Sequence, residues 1–125
     1  MSNSGSIIKD VSYVNDAGAR VVISDHVRVA TTFIQRLLGL IATGGLKDGE
    51  GLLLQPCNGI HTFGLREPID VVVLDRNGIV LRVVGEMHRN RIMLPMKHGV
   101  ITIELKAGLA TKSGVLTGYT VLIRD

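Results

Sequence analysis

The residues best suited to chemistry fall in one stretch, Cys57 to Asp75, which reads C-N-G-I-H-T-F-G-L-R-E-P-I-D-V-V-V-L-D. It holds the only cysteine of the chain, one of its four histidines and an Arg66-Glu67 pair. A bend at Pro68 would bring the His61 imidazole, the Arg66 guanidinium and the Asp70 carboxylate together, a grouping that can bind an anion or orient a proton carrier. Each residue also has a structural alternative. Asp70 can accept backbone N–H bonds from the turn at 64–67 and lock the bend, and His61 can be a packed, hydrogen-bonded histidine. Cys57 with His61 supplies the parts of a thiol nucleophile and its base. Their spacing matches no known signature, and small buried cysteines are common.

Other chemistries find less support. Cys57, His61, His88 and His98 show neither C-x-x-C nor H-x-x-x-H spacing, so no metal site is expected. The phosphate loops G-x-x-x-x-G-K and G-x-G-x-x-G are absent, as is the G-x-S-x-G elbow, and no cofactor is expected. Glu104 shares a strand face with Thr102 and Lys106, which points it toward solvent.

These residues need elements to hold them. Ile69 to Asp75 reads as a strand whose V-V-V-L core lacks alternation, the mark of burial on both faces and of a place in the middle of a sheet. Asn77-Gly78 predicts a tight hairpin to a return strand from Ile79 to Val84. Upstream, Ile60 to Leu65 reads as the strand that bends at Pro68, and Leu52 to Leu54 as a short strand ended by Pro56. Ile7 to Val14 and Arg20 to Ala30 are further strand candidates, the latter as two short pieces around Ser24-Asp25, with His26 on the wet face. Ile34, Leu37, Leu38 and Ile41 recur at helical spacing after Thr31 or Thr32, so an amphipathic helix is expected there, stopped by Gly44-Gly45. Glu86 to Lys97 is irregular and basic, Val100 to Lys106 alternates as a half-buried strand, and Tyr119 to Ile123 closes the chain. The sum is a mainly β (α+β) fold, a β-sandwich or partly open barrel of six to eight short strands carrying one early helix.

At 125 residues the chain suits a single domain, 1–125, with residues 1–5 loose. Hydrophobic residues make up 46% and charged residues 20%, a globular balance, and no apolar run is long enough to span a membrane. The start lacks a basic region followed by an apolar core, so a cytoplasmic location is expected. Net charge is +3, and Arg82 to His98 accounts for it, four cations against Glu86. Nucleic-acid binding through that region is disfavoured, because Phe33, Phe63, Tyr13 and Tyr119 do not cluster with the basic run in sequence.

The series Thr32, Arg36, Gly39 and Leu40, then G-L-L-L-x-P-C (51–57), I-H-T-F-G-L (60–65), P-I-D-V-V-V-L-D (68–75) and I-E-L-K-A-G (103–108) resembles the domain of unknown function 192 family, over roughly residues 27–123. The resemblance implies a compact, mostly β domain and no established activity. It also implies a loose association with pilus-assembly and secretion genes, and it puts Arg36, His61, Asp70 and Glu104 at family motif positions. Leu65, Ile41 and Tyr119 depart from the family's usual Met, Met and Asp.

The expected function is therefore non-catalytic binding or an accessory role, through a polar pocket of Arg36, His61, Arg66 and Asp70 at one end of the sheet. A protein partner or a small anionic ligand would suit it. No complete nucleophile, base and orienter can be assembled from the spacings, which argues against an enzyme. One alternative is a small hydrolase or transferase using His61 and Asp70 as acid and base. The other is a nucleic-acid-binding module using Arg82 to His98.

Overall fold

The computed structural model describes residues 8–30, 45–57 and 59–125. Its spine is the uninterrupted apolar run: β5 (Ile69–Leu74) is buried at all six positions. β-Branched side chains on a strand with no wet face require cover above and below, and both covers exist. Val72 and Leu74 join one core with Val11, Tyr13, Val27, Leu53, Ile103 and Val80. Val71 and Val73 point the other way, into a second core with Leu52, Leu54, Leu65, Met87 and Met93.

Around β5 are β1 (Ile8–Val14), β2 (Arg20–Ala30), β3 (Glu50–Leu54), β6 (Val80–Met87), β8 (Ile101–Lys106) and β9 (Val121–Arg124), in the order β6-β5-β8-β3-β2-β1-β9. Only β2 and β3 pair in parallel, so the sheet is mixed. A single bridge between Ile79 and Thr120 brings its two ends into contact, supported by the Val80 N–H donating to Tyr119 O (2.9 Å) and the Val121 N–H donating to Gly78 O (2.8 Å). The ladder stops there. The architecture is one large mixed sheet not closed into a barrel, with a separate two-stranded ribbon of β4 (Ile60–His61) and β7 (Ile92–Met93).

Several local expectations need correction. β5 lies inside the sheet but one strand from its edge, while β3 holds the centre. The strand expected over Ile60 to Leu65 shrinks to two residues and leaves the main sheet, so it does not pair with β5 across the Pro68 bend. β2 runs as one strand of 11 residues, absorbing irregularity through register shifts against β1. The Asn77-Gly78 hairpin is present, but only Gly78 is left-handed (φ 83°). Asp75 holds the turn, its Oδ1 accepting from the N–H of Asn77 (2.8 Å) and of Ile79 (3.0 Å). At Gly78 a Cβ would also sit 2.8 Å from Val121 O, so the residue must be glycine for the sheet ends to meet.

The early amphipathic helix, with Arg36, lies outside the described residues. The described helix, α1 (Leu109–Ser113), is late and went unforeseen in a stretch punctuated by glycines. Gly108 and Gly114 bound it, both left-handed. The Tyr13 hydroxyl donates to Ser113 O, and the Tyr13 ring stacks on Tyr119 with centroids 5.0 Å apart, tying the end of α1 to β1 and to the approach to β9.

Candidate functional site

The I-H-T triplet builds the site from its third residue. Thr62 is fully buried, and its hydroxyl donates to His88 O (2.6 Å) while accepting from the Arg91 N–H (2.9 Å). Its own N–H donates to Arg91 O (2.9 Å), and its carbonyl accepts from the N–H of Asn90 and of Leu65, each 3.3 Å. One side chain and its backbone thus fold residues 88–91 back against β4, helped by the left-handed Asn90 (φ 62°). The register His61 opposite Ile92 and Ile60 opposite Met93 follows.

Beside this ribbon runs an open groove of ≈ 490 Å³, lined by Pro56, Cys57, Gly59, Ile60, His61, Phe63, Ile92, Met93 and Pro95. The wall is mostly apolar and unusually wet: Phe63 is 45% exposed, Ile92 62% and the adjoining Leu94 73%. The His61 and Phe63 rings lie 5.5 Å apart, tilted by 32°. Gly59 is glycine for want of room, because a Cβ there would come within 3.0 Å of Pro95 N and 3.1 Å of Met93 O. Cys57 is held at the groove floor, its thiol donating to Gly59 O (3.3 Å) and its carbonyl accepting from the Thr102 hydroxyl (2.8 Å).

Of the residues expected to form a polar pocket, only His61 lines this groove. Arg36 lies outside the described residues. Arg66 is exposed and makes no ion pair among the described residues. Asp70 is 1% exposed and wholly engaged: Oδ1 accepts from the Glu86 N–H (2.8 Å), and Oδ2 from the N–H groups of Gly108 (2.9 Å) and Ala110 (2.8 Å). Its partners are not the 64–67 turn. Asp70 caps α1 from a neighbouring strand, doing what Gly108 cannot, and fixes the left-handed Glu86 of β6 (φ 53°). Its register partner, Leu105, belongs to the first core, whereas Ile60 and Met93 beneath the groove belong to the second. His61 and Asp70 therefore sit on opposite faces of the main sheet, and no acid–base pair forms between them.

Glu104 is the residue whose surroundings differ most from expectation. β8 lies between β5 and β3, so both its faces are covered, and Glu104 is 4% exposed instead of facing solvent. Burial pushes its carboxyl from 4.5 up to about 7. Among the described residues its Oε1 has no hydrogen-bond partner, and neither does the buried Nε of Arg28. Register places Arg28 opposite Leu52 and Leu52 opposite Glu104, so the two orphaned groups share a face two strands apart, ~10 Å between backbones. The next residue on that face, Lys106, is instead paired with Glu67 at 2.8 Å; the hydrogen bond raises the lysine pKa and lowers that of the exposed Glu67. Position two residues from Thr102 on an interior strand was the available signal for Glu104, but it required knowing that β8 is interior.

Among the described residues no three His, Cys, Asp or Glu side chains converge to hold a metal ion, and no helix is long and apolar enough to cross a membrane.

The profile of the DUF192 family, described as "Uncharacterized ACR", matches residues 13–123. Two solved structures are similar. One, a protein of unknown function from Novosphingobium aromaticivorans DSM 12444, is 22% identical, with 98% of this chain and 89% of that chain covered and a TM-score of 0.77. The other, described as a putative transcription regulator from Sinorhizobium meliloti 1021, is 18% identical, with 94% of this chain and 95% of that chain covered and a TM-score of 0.78. At these identities the likeness is one of fold. No curated protein matches. The chain belongs to the DUF192 family.

Proposed function

We propose that this DUF192 chain is a non-catalytic binding or accessory domain, and that the groove along the β4–β7 ribbon is its binding surface. The observation that carries the reading is the groove itself: a shallow, open, largely apolar surface beside His61 and Phe63, with Ile92 and Leu94 exposed next to it. Well-covered cores on both faces of the sheet make that exposure conspicuous, since adjoining exposed apolar side chains are what interaction surfaces offer. Either a protein segment or a small anionic ligand suits the surface. The association with pilus assembly and secretion that the family resemblance implies would fit a partner-binding role. A cytoplasmic location is part of the same reading.

Catalysis has less support. The hydrolase or transferase alternative needs His61 and Asp70 to act as a pair, and the Asp70 carboxylate is spent on three backbone donors. The nucleic-acid alternative gains one observation. Ile92, at the start of β7, pairs with His61, so the His61–Phe63 rings stand beside the basic segment from which the sequence separates them. The description of the Sinorhizobium protein as a putative transcription regulator points the same way for that protein.

The reading is tested with 8-anilinonaphthalene-1-sulfonate, an anionic apolar dye, added to the folded chain. Saturable fluorescence enhancement is expected, reduced at least about fivefold in affinity by Ile92→Asp, a change at an exposed position that should leave melting unaltered. No saturable enhancement, or equal enhancement in the variant, would remove the groove as the binding surface.

A further inference from the structure

The charges around the groove point to a specific class of occupant, an inference that rests on the binding reading above and deepens it. Neither of the segments that line or border it, 55–66 and 87–103, contains an acidic residue. Both supply cations: Arg66 from the first, and Arg89, Arg91 and Lys97 from the second. All four side chains are exposed, and none forms an ion pair among the described residues, where the pairs are Lys9 with Asp125, Arg20 with Asp10 and Lys106 with Glu67. Exposed cations elsewhere, Arg76, Arg82 and Lys112 among them, also form no ion pair among the described residues, but here four fall in two acid-free segments that carry Ile92 and Leu94, the most exposed apolar side chains described.

We propose that the groove receives an acidic segment of a partner protein, anchored by an aromatic or leucine side chain between Phe63, Ile92 and Met93, with its carboxylates toward Arg89, Arg91 and Lys97. Recognition works through side chains, because Pro56 and Pro95 on the lining present no N–H and so discourage addition of a further strand. Phe63 with His61 offers a single aromatic pair, less than a run of stacked bases requires. Opposite charge at the rim steers such a segment and fixes its direction, while the apolar anchor holds it.

The experiment is fluorescence anisotropy of the folded chain with four labelled probes: a peptide whose Leu and Phe anchors are flanked by glutamates, the same peptide with lysines in their place, an oligothymidylate, and phosphatidylglycerol vesicles followed by co-sedimentation. The acidic peptide should bind, and the lysine peptide should bind on the order of tenfold or more weakly. The double variant Arg89→Glu/Arg91→Glu and the variant Ile92→Asp should each weaken the acidic peptide about tenfold. Raising the ionic strength from about 0.05 to about 0.5 M should weaken it severalfold. Equal binding of the two peptides, binding insensitive to the arginine variant, or stronger capture of the oligonucleotide or the vesicles overturns the proposal. If the dye binds as described above but no peptide does, the groove stands as a binding surface and the acidic protein segment falls as its occupant.

Discussion

Burial of Glu104 raises its carboxyl pKa from 4.5 to about 7, which makes it titrate against stability in the opposite sense from a paired surface carboxylate. Below about 4.5 the group is protonated in both folded and unfolded chains, and its favourable contribution is complete. Between 4.5 and about 7 the unfolded chain ionises while the folded chain holds its proton, so stability falls as pH rises, and above that window the loss is constant. At about 1.4 kcal/mol per pKa unit, the ceiling on the loss is about 3 kcal/mol. Glu104→Gln should therefore flatten the pH dependence of the denaturation midpoint between pH 5 and 7 and raise stability at pH 8; a parallel pH profile in wild type and variant would contradict the assignment. Asp70 makes the contrasting case. Three backbone donors converge on its carboxylate, and Asp70→Ala should cost about 1–3 kcal/mol in chemical denaturation, because it orphans the buried N–H of Ala110 and the part-buried N–H groups of Gly108 and Glu86. Unchanged melting would return Asp70 to the list of functional candidates. Sequence alone gives Asp70 as an acceptor of backbone bonds, yet it points to the wrong donors, since Gly108 and Ala110 are brought over by strand pairing and not by proximity in the chain.

At the scale of elements, the β4–β7 ribbon depends on Thr62 more than on its two ladder pairs. Thr62→Val keeps the shape and deletes the hydroxyl, so it should lower stability by about 1–3 kcal/mol. It should also speed amide exchange at Asn90 and Arg91 before the main sheet opens; uniform exchange changes across the sheet, or none, would show that the ribbon is held by other means. Legibility followed covalent proximity here as well. β5 and the hairpin to β6 declare themselves through continuous burial and Asp75-Arg76-Asn77-Gly78, all local signals. Alternation in β8 marks two faces but points the polar one to water, whereas both faces are buried, because strand order is invisible in a single sequence. The same blindness hides the parallel pairing of β2 with β3 and the transfer of His61 to a separate ribbon. α1 escaped detection since five residues between glycines show no helical period; it exists because Asp70 caps it from outside.

For the whole molecule, the sheet resolves a conflict that composition poses. A chain with 46% hydrophobic residues and 3% aromatic ones must fill its interior with Val, Leu and Ile, and it does so in two cores on opposite faces of one sheet. The mainly β class was legible for that reason, while the openness of the sheet depends on where its ends meet, at Ile79 and Thr120. Of the apolar side chains that the two cores leave uncovered, the two most exposed, Ile92 and Leu94, lie at the ribbon with Phe63, in the same stretch as Arg89 and Arg91, which form no ion pair among the described residues. The most direct test of that surface as the binding site is a backbone-resolved ¹H–¹⁵N NMR titration with hexanoate, a small apolar anion. Saturable shifts should concentrate at Ile60, His61, Phe63 and Ile92 and leave Asp70 and α1 unmoved. Shifts centred on Asp70 and α1, or none that saturate, would contradict the account.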